Sequence, residues 1–565
     1  MKDSKHHIDW PLLLFLASAT YVKLYMKVVA VLFYAVYVLY KRYPARKLTS
    51  LQWFYVAIAI TGVCSSLIND SFYQPQYALG FYLGLFQWGV AFAISYLLLV
   101  TVSVLTKQTI LRTLKVFFTI NAVISLVTLL VLFAEAGFKV PYWLTSSIKY
   151  GVSTGDYING IFNDTSVTNA AINALGAIFF LYYKEFRWAA LCTFIMLLCT
   201  SNVTVVFMTV VLLAMFFKKD KAIKRNAVLL ILMMAVSYPI LSPQNLKYIE
   251  VVYEREKKDN YEIGLAKLKD KKITVSSAAK EEDFFDKKIS STYRGEDYQS
   301  WIKAYKYYPY RQDIESPVFN SKEYYLNIKK YKMGLKQEAL TNLGGELYQL
   351  KDEATKEKKD GEIGDNDEES EYGQLNPFAL QTAIANWYHT PASSSVLNNY
   401  NMPGKLYTNM QTLYFLRSNT THMFFGAGIG NFSSKLAIKM TGLGLQGSYP
   451  PEKIYVNRDF LQYHFYTLLF YLSRHAAEHS VMNMPNSTYN QIVGEYGLIG
   501  FVLFLVLYVG FVLKRRKRLQ SGVFIAAIVF MFLGMEYWFE LLSLTVVFEL
   551  LIMSELFAKT ENDTE

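Results

Sequence analysis

Apolar residues in this chain fall in long, nearly unbroken runs, not in alternating or one-sided stripes. A bilayer core takes roughly 20 apolar residues per helical crossing. Runs near that size cover 8–22, 24–40, 51–68, 79–104, 116–135, 168–183, 188–201, 203–217, 226–242, 489–513, 522–539 and 541–558. The pattern predicts an all-α polytopic membrane protein with about 12 transmembrane helices. The first, seventh and eighth runs are short, and the first two can also be read as one span plus a re-entrant piece. The chain then divides into an N-terminal bundle of about nine spans (1–241), a polar insert (242–488) and three C-terminal spans (489–565). The insert is too long to be a simple connection. Its segment 322–350 carries apolar residues at helical spacing, so the insert is expected to be mostly helical. Segment 351–372 is dense in Asp, Glu and Lys and nearly devoid of apolar residues, which predicts disorder there.

Composition agrees with this reading. The chain of 565 residues is 53% hydrophobic and 18% charged, against about 25% charged residues in a typical soluble protein. An ordinary soluble enzyme, a collagen and a wholly disordered chain are excluded. The net charge of +11 does not point to nucleic acid. The cations sit in short clusters after alternate apolar runs: Lys41, Arg42, Arg46 and Lys47; Lys107, Arg112 and Lys115; Lys184 and Arg187; Lys218, Lys219, Lys221, Lys224 and Arg225; Lys514 to Arg518. All fall on one side of a twelve-span chain, and the loop 69–78 on the other side has no Lys or Arg. The positive-inside rule puts both termini in the cytoplasm and turns 136–167 and the large insert outward. Cys64, Cys192 and Cys199 all lie in apolar runs, which argues against a disulfide framework or a zinc site. Ala17-Ser18-Ala19 resembles a signal-peptidase site, but the apolar run before it is short and another follows closely, so a retained first span is expected.

Four features carry candidate chemistry. Glu495 lies within an apolar run, where a carboxylate is costly. Thr488, Gln491 and Glu495 share one helix face, and Gly494, Gly497 and Gly500 allow close approach of another element. This reads either as a polar site near the outer surface or as a buried Glu bonded to a neighbouring helix. Gly426-Ala427-Gly428-Ile429-Gly430-Asn431-Phe432 lacks the βαβ context of a nucleotide loop and reads as a tight turn packed near the membrane. Tyr293, Arg294, Tyr298, Trp301, Tyr305, Tyr307, Tyr308, Tyr310 and Arg311 crowd one stretch, suited either to sugar stacking or to a core with interface anchors. Arg458, His464, Arg474, His475, Glu478 and His479 precede the tenth run. His can act as a base and Arg can clamp a diphosphate, while a solvated interfacial helix accounts for the same residues. His475 and His479 lack the HExxH glutamate, and no metal or other cofactor is expected.

The order and spacing of these segments resemble the O-antigen ligase and polymerase superfamily of bacterial envelope-glycan membrane enzymes. The glycine segment and Asn486 to Gly500, which contains Glu-x-Gly-x-x-Gly, match its late-loop and span-opening motifs. Asn159-Gly160-Ile161-Phe162-Asn163 resembles its Gly-x-Phe loop, and Thr200-Ser201-Asn202 its Thr-x-Ser-Arg turn. The motifs touch short stretches only, and 242 to about 400 is not covered. The resemblance implies a glycosyltransferase of the inner membrane that moves a glycan from a polyprenyl diphosphate carrier to an acceptor hydroxyl on a glycan or lipid, with the large insert periplasmic. It departs at three positions. Asn486 stands where the ligases often have His nine residues before the Glu, Asn202 where the turn has Arg, and Lys405 where an Arg precedes the glycine segment. The implied site is Glu495, His479, His475, Asn486 and Tyr489 for catalysis, with Lys405, Arg458, Arg474, Asn202 and Arg417 for substrate. The competing expectations are a non-catalytic envelope-polysaccharide assembly protein and a lipid-linked glycan transporter. The latter would favour paired repeats and broken helices, which the sequence does not display.

Overall fold

The structure, a computed structural model, describes residues 7–69, 71–73, 77–144, 153–218, 220–246, 404–440, 455–464, 467–468 and 484–559. The expected helix at 322–350, the expected disorder at 351–372 and the aromatic stretch 293–311 lie outside the described residues. The first half forms α1 (Trp10–Thr20), α2 (Leu24–Tyr40), α3 (Ser50–Ile68), α4 (Ala78–Val102), α5 (Lys107–Glu135), α6 (Ser166–Tyr182), α7 (Phe186–Leu198), α8 (Asn202–Met215) and α9 (Lys221–Leu241). Then come α10 (Gly404–Ser418), α11 (Thr420–Phe425), α12 (Lys435–Met440), α13 (Arg458–Tyr463), α14 (Thr488–Leu503), a π-helical turn (Phe504–Val509), α15 (Gly510–Arg515), α16 (Gly522–Phe532), α17 (Trp538–Leu541) and α18 (Ser543–Phe557). No strand occurs among the described residues. Among the described residues, five helices are long and apolar enough to cross a membrane: α3, α4, α5, α9 and the continuous stretch Thr488–Arg515. Six more apolar helices are shorter. These helices mark a membrane protein.

Local chemistry sets the helix ends. Asp9 caps α1 by accepting from the Leu12 amide at 2.8 Å. Thr49 and Gln52 form a capping box at the start of α3. The sequence pattern starts two helices late. Thr106 caps α5 and Asp220 caps α9, so the basic residues at 107–115 and 221–225 are the first turns of those helices, not loops. The run at 522–539 also divides: α16 stops at Phe532, and a turn through Glu536 leads into α17.

Burial sorts the helices into centre and rim. Nearly every residue of α6 from Ser166 to Leu181 is buried, as are Ser543 to Ser554 of α18. A helix apolar all round belongs in the interior of a bundle. On α2, by contrast, Leu32, Phe33, Val36 and Leu39 are exposed, as are Val127, Leu130 and Val131 on α5 and Val236 and Ile240 on α9. An exposed belt of this kind fits a lipid-facing surface. The basic clusters meet at one end of the bundle. Arg46 donates to Ser103, Lys115 pairs with Glu185 at 2.7 Å, Lys184 pairs with Asp220 at 3.0 Å, and Lys218 lies over the Phe524 ring.

At the other end, the segment after α11 is laid directly on α14. The Ala427 and Gly428 amides donate to the Gly494 and Glu495 carbonyls at 2.8 and 3.0 Å. Such contact requires glycine. Gly426 has φ +70°, and a Cβ there would meet the Glu495 carbonyl carbon at 2.5 Å. Gly497 breaks the helical dihedrals of α14 at φ 63°, ψ −162°, and a Cβ there would lie 2.4 Å from the Phe424 carbonyl. A left-handed conformation costs an L-residue about 1–2 kcal/mol, and overpacking a further 1–3 kcal/mol or so. Gly426→Ala and Gly497→Ala are therefore each expected to destabilise by at least about 2 kcal/mol. Gly89→Ala, which meets only open space, should be neutral or slightly stabilising. Melting of the three variants in detergent checks this; wild-type melting of Gly426→Ala would refute the wrapped packing.

Candidate functional site

Glu495 lies about 10 Å along α14 from its first residue and is 1% exposed. The glycine segment closes over it. Its Oε1 accepts from the Phe432 amide at 3.4 Å, and its backbone carbonyl accepts from Ser65 Oγ at 3.2 Å. Asn69 Nδ2 donates to the Gly426 carbonyl at 2.7 Å, and Tyr77 OH to the Ile429 carbonyl at 2.6 Å. The turn thus holds a carboxylate side chain between α3, α4 and α14. Below it, Trp88 Nε1 donates to Tyr496 OH at 2.6 Å, within an aromatic cluster of Phe54, Tyr55, Tyr508 and Phe539. Glu495 shares a small cavity with Gln87, Gln491 and Glu540, with room for about one water. Glu495 Oε2 and Gln491 Oε1 have no hydrogen-bond partner among the described residues.

A second polar centre lies at the opening of α14. Lys405, in the first turn of α10, is buried and donates through Nζ to the Asn486 carbonyl. The Asn486 side chain donates from Nδ2 to Glu536 Oε2 at 2.9 Å. The turn containing Glu536 is pinned in place because Thr488 donates from N and Oγ1 to the Glu536 carbonyl at 2.9 and 2.8 Å. Asn486 thus bridges a buried cation and a buried carboxylate. Burial pulls the Lys405 ammonium down from its ordinary value, and the negative charge of Glu536 opposes that fall. Lys435 and Asp164 also act electrostatically on Glu536. Glu540, one turn further on, accepts the Lys435 and Leu436 amides at the start of α12. Lys439 is pulled down to about 8 by burial and by Lys435. Cations and carboxylates from four separated segments therefore converge at this end. The arrangement can neutralise an anion and accept a proton.

His464 closes the site from α13. Its Nε2 lies 3.1 Å from Thr412 Oγ1 and 3.0 Å from the Thr408 carbonyl, and its Nδ1 meets Ser433. Thr412 Oγ1 donates to Asn490 Oδ1 at 3.0 Å, which ties α10 to α14. Fully enclosed, the imidazole is pushed down to about 3 and stays neutral.

Of the residues singled out in the sequence, Lys405, Asn486 and Glu495 come together at this end of the bundle. Tyr489 is half-buried, and its OH donates to the Phe530 carbonyl at 2.7 Å. Asn202 bonds instead with Tyr238 and Asn245, holding α8 to the end of α9. Arg417 is exposed in the last turn of α10, about 18 Å along that helix from Lys405. Arg458 opens α13, but its side chain lies outside the described residues, as do Arg474, His475 and His479 altogether. Among the described residues no group of three or more His, Cys, Asp or Glu converges as a metal site. The sequence reading missed Glu536, Glu540 and Glu549. Glu549 sits in the bundle interior, where it accepts from Tyr55 and Tyr508. All three are acidic residues within the apolar stretch 522–558, and that was the signal available.

No protein-family model, no curated protein and no solved structure matches this chain.

The His464 environment predicts a pH dependence. The unfolded imidazole takes up a proton near its ordinary value of 6.5, while the folded one, held at about 3, does not. The unfolded state then binds more protons, so stability is lost as pH falls through 6.5, by roughly 2 kcal/mol at pH 5. Melting of the wild type against His464→Gln between pH 7 and 5 checks this. The variant should show a flatter decline, and equal slopes would contradict the buried neutral imidazole.

Proposed function

We propose that the chain is a membrane glycosyltransferase that moves a glycan from a polyprenyl diphosphate to an acceptor hydroxyl at the periplasmic face, as a polymerase of repeat units or a ligase. In this reading the chain crosses the bacterial inner membrane about twelve times. Both termini are cytoplasmic, and the insert 242–488 lies outside. The observation that carries it is convergence. Lys405, the 426–432 turn and the opening of α14, each chosen by the sequence resemblance, meet at one end of the bundle. The basic clusters meet at the other, the pattern expected of a cytoplasmic end.

The chemistry is a displacement at the anomeric carbon. The acceptor oxygen bonds to that carbon while its bond to the diphosphate oxygen breaks, and the electron pair leaves on the diphosphate. Lys405, Lys435 and Lys439 supply fixed cations for that growing charge. A lipid-borne donor suits a site at the end of an apolar bundle, where the carrier chain can stay in the bilayer. Asn486 in place of a histidine favours a second reading, a non-catalytic assembly protein, and the same experiment separates the two.

Full-length protein in lipid nanodiscs is expected to transfer a lipid-linked oligosaccharide to an acceptor glycan or lipid. Lys435→Ala should lower turnover by about 10²-fold. Carrier binding without transfer in the wild type, across acceptors, would favour the assembly protein. Topology is tested separately: in a cysteine-free background, Asp365→Cys should label from outside intact cells and Lys517→Cys should not. The reverse pattern would overturn the orientation.

A further inference from the structure

The transfer reading needs a group that takes the acceptor's proton, and most groups in the site are already committed. His464 has contacts to both ring nitrogens and is held neutral by an environment that disfavours protonation. Glu540 has both oxygens on backbone amides. Glu495 is closed in by the glycine turn, with space for about one water beside it. Lys405 carries its proton towards the Asn486 carbonyl. Asn486 is an amide and takes no proton near neutrality.

Glu536 is buried as Glu495 is, but it differs in its place and its partner. Asn486 Nδ2 engages its Oε2 at 2.9 Å, and its other oxygen has no hydrogen bond among the described residues. It sits on the turn between α16 and α17, at the same end of the bundle as the opening of α14, about two helical turns nearer that end than Glu495. The charged groups that act on it are Lys405 from α10, Lys435 from α12 and Asp164 from the loop before α6. From this geometry we infer that Glu536 is the proton acceptor of the transfer reaction and that Asn486 is the residue that positions it. The inference rests on the transfer reading above. The acceptor O–H proton passes to the Glu536 carboxylate as its oxygen bonds to the anomeric carbon. The carbon–oxygen bond to the carrier breaks, and the pair leaves on the diphosphate beside Lys405. Protonated Glu536 then returns the proton to water. Asn486 keeps the carboxylate aimed and lends its amide to the charged form.

The experiment uses the full chain in nanodiscs with a defined polyprenyl-diphosphate oligosaccharide. Glu536→Gln should lower turnover by about 10²-fold or more while the carrier still binds. Glu536→Ala should regain part of the lost rate with added formate or azide, which a purely structural carboxylate would not show. Asn486→Ala removes a hydrogen bond to the charged form, so the acid limb of kcat/KM should move to higher pH. Wild-type turnover in Glu536→Gln overturns the inference and leaves the transfer reading standing. If neither Glu536 variant folds, an acid limb unmoved in Asn486→Ala overturns it. A wild type that transfers nothing removes both.

Discussion

The site end of this protein rests on the contact between a glycine-bearing turn and the backbone of α14. Two main-chain hydrogen bonds and a helix break at Gly497 bring the 426–432 turn against Gly494 and Glu495. Side chains would hold these backbones apart, and the distances available to a Cβ are far below van der Waals contact. Once the turn is seated, its amides and carbonyls find partners in Ser65, Ser66, Asn69 and Tyr77. Backbone groups buried near a bilayer need such partners, because no solvent can supply them. The turn therefore links the insert to α3, α4 and α14 and fixes where Glu495 sits.

The polar interior at this end follows the same economy of partners. Asn486 is the hinge of one half: its carbonyl receives Lys405 and its amide serves Glu536. Asn490 and Thr412 do the equivalent for His464 in the other half. A buried charge without a partner would cost several kcal/mol, and here each charge is near an opposite charge or an oriented amide. Among the described residues, Asn486 Oδ1, Gln491 Oε1 and Glu495 Oε2 at this end are without hydrogen-bond partners, as are Tyr34 OH, Asn173 Oδ1 and Tyr183 OH elsewhere in the bundle. The centre is compact, and it draws residues from the loop before α6, from the insert and from the turn between α16 and α17.

Much of the helical order can be read from the chain because hydrophobicity over a window is a local property. The runs at 24–40, 51–68 and 79–104 correspond closely to α2, α3 and α4. Pattern and helix part where a capping residue extends a helix past its apolar stretch, as at Thr106 and Asp220, or where a turn is itself apolar, as after Phe532. Glu495 and the glycine turn could be singled out because a charge in an apolar run and a cluster of glycines stand out against their surroundings. Glu536 could not be assigned a place, because in sequence it is one of four acids in the stretch 522–558, with nothing local to tell which faces the site.

The amino-acid sequence by itself determined the helical membrane class, the clustering of cations and the pieces from which the site is built, since each depends on composition within a short window. Only the tertiary structure decided that Lys405, Asn486 and Glu536 meet. They are separated by 81 and 50 positions along the chain. Which helix ends come together is set by how whole helices pack, with α6 and α18 at the centre and the glycine turn seated on α14. A hydrogen bond between such ends is a consequence of that packing, and no spacing in the chain encodes it.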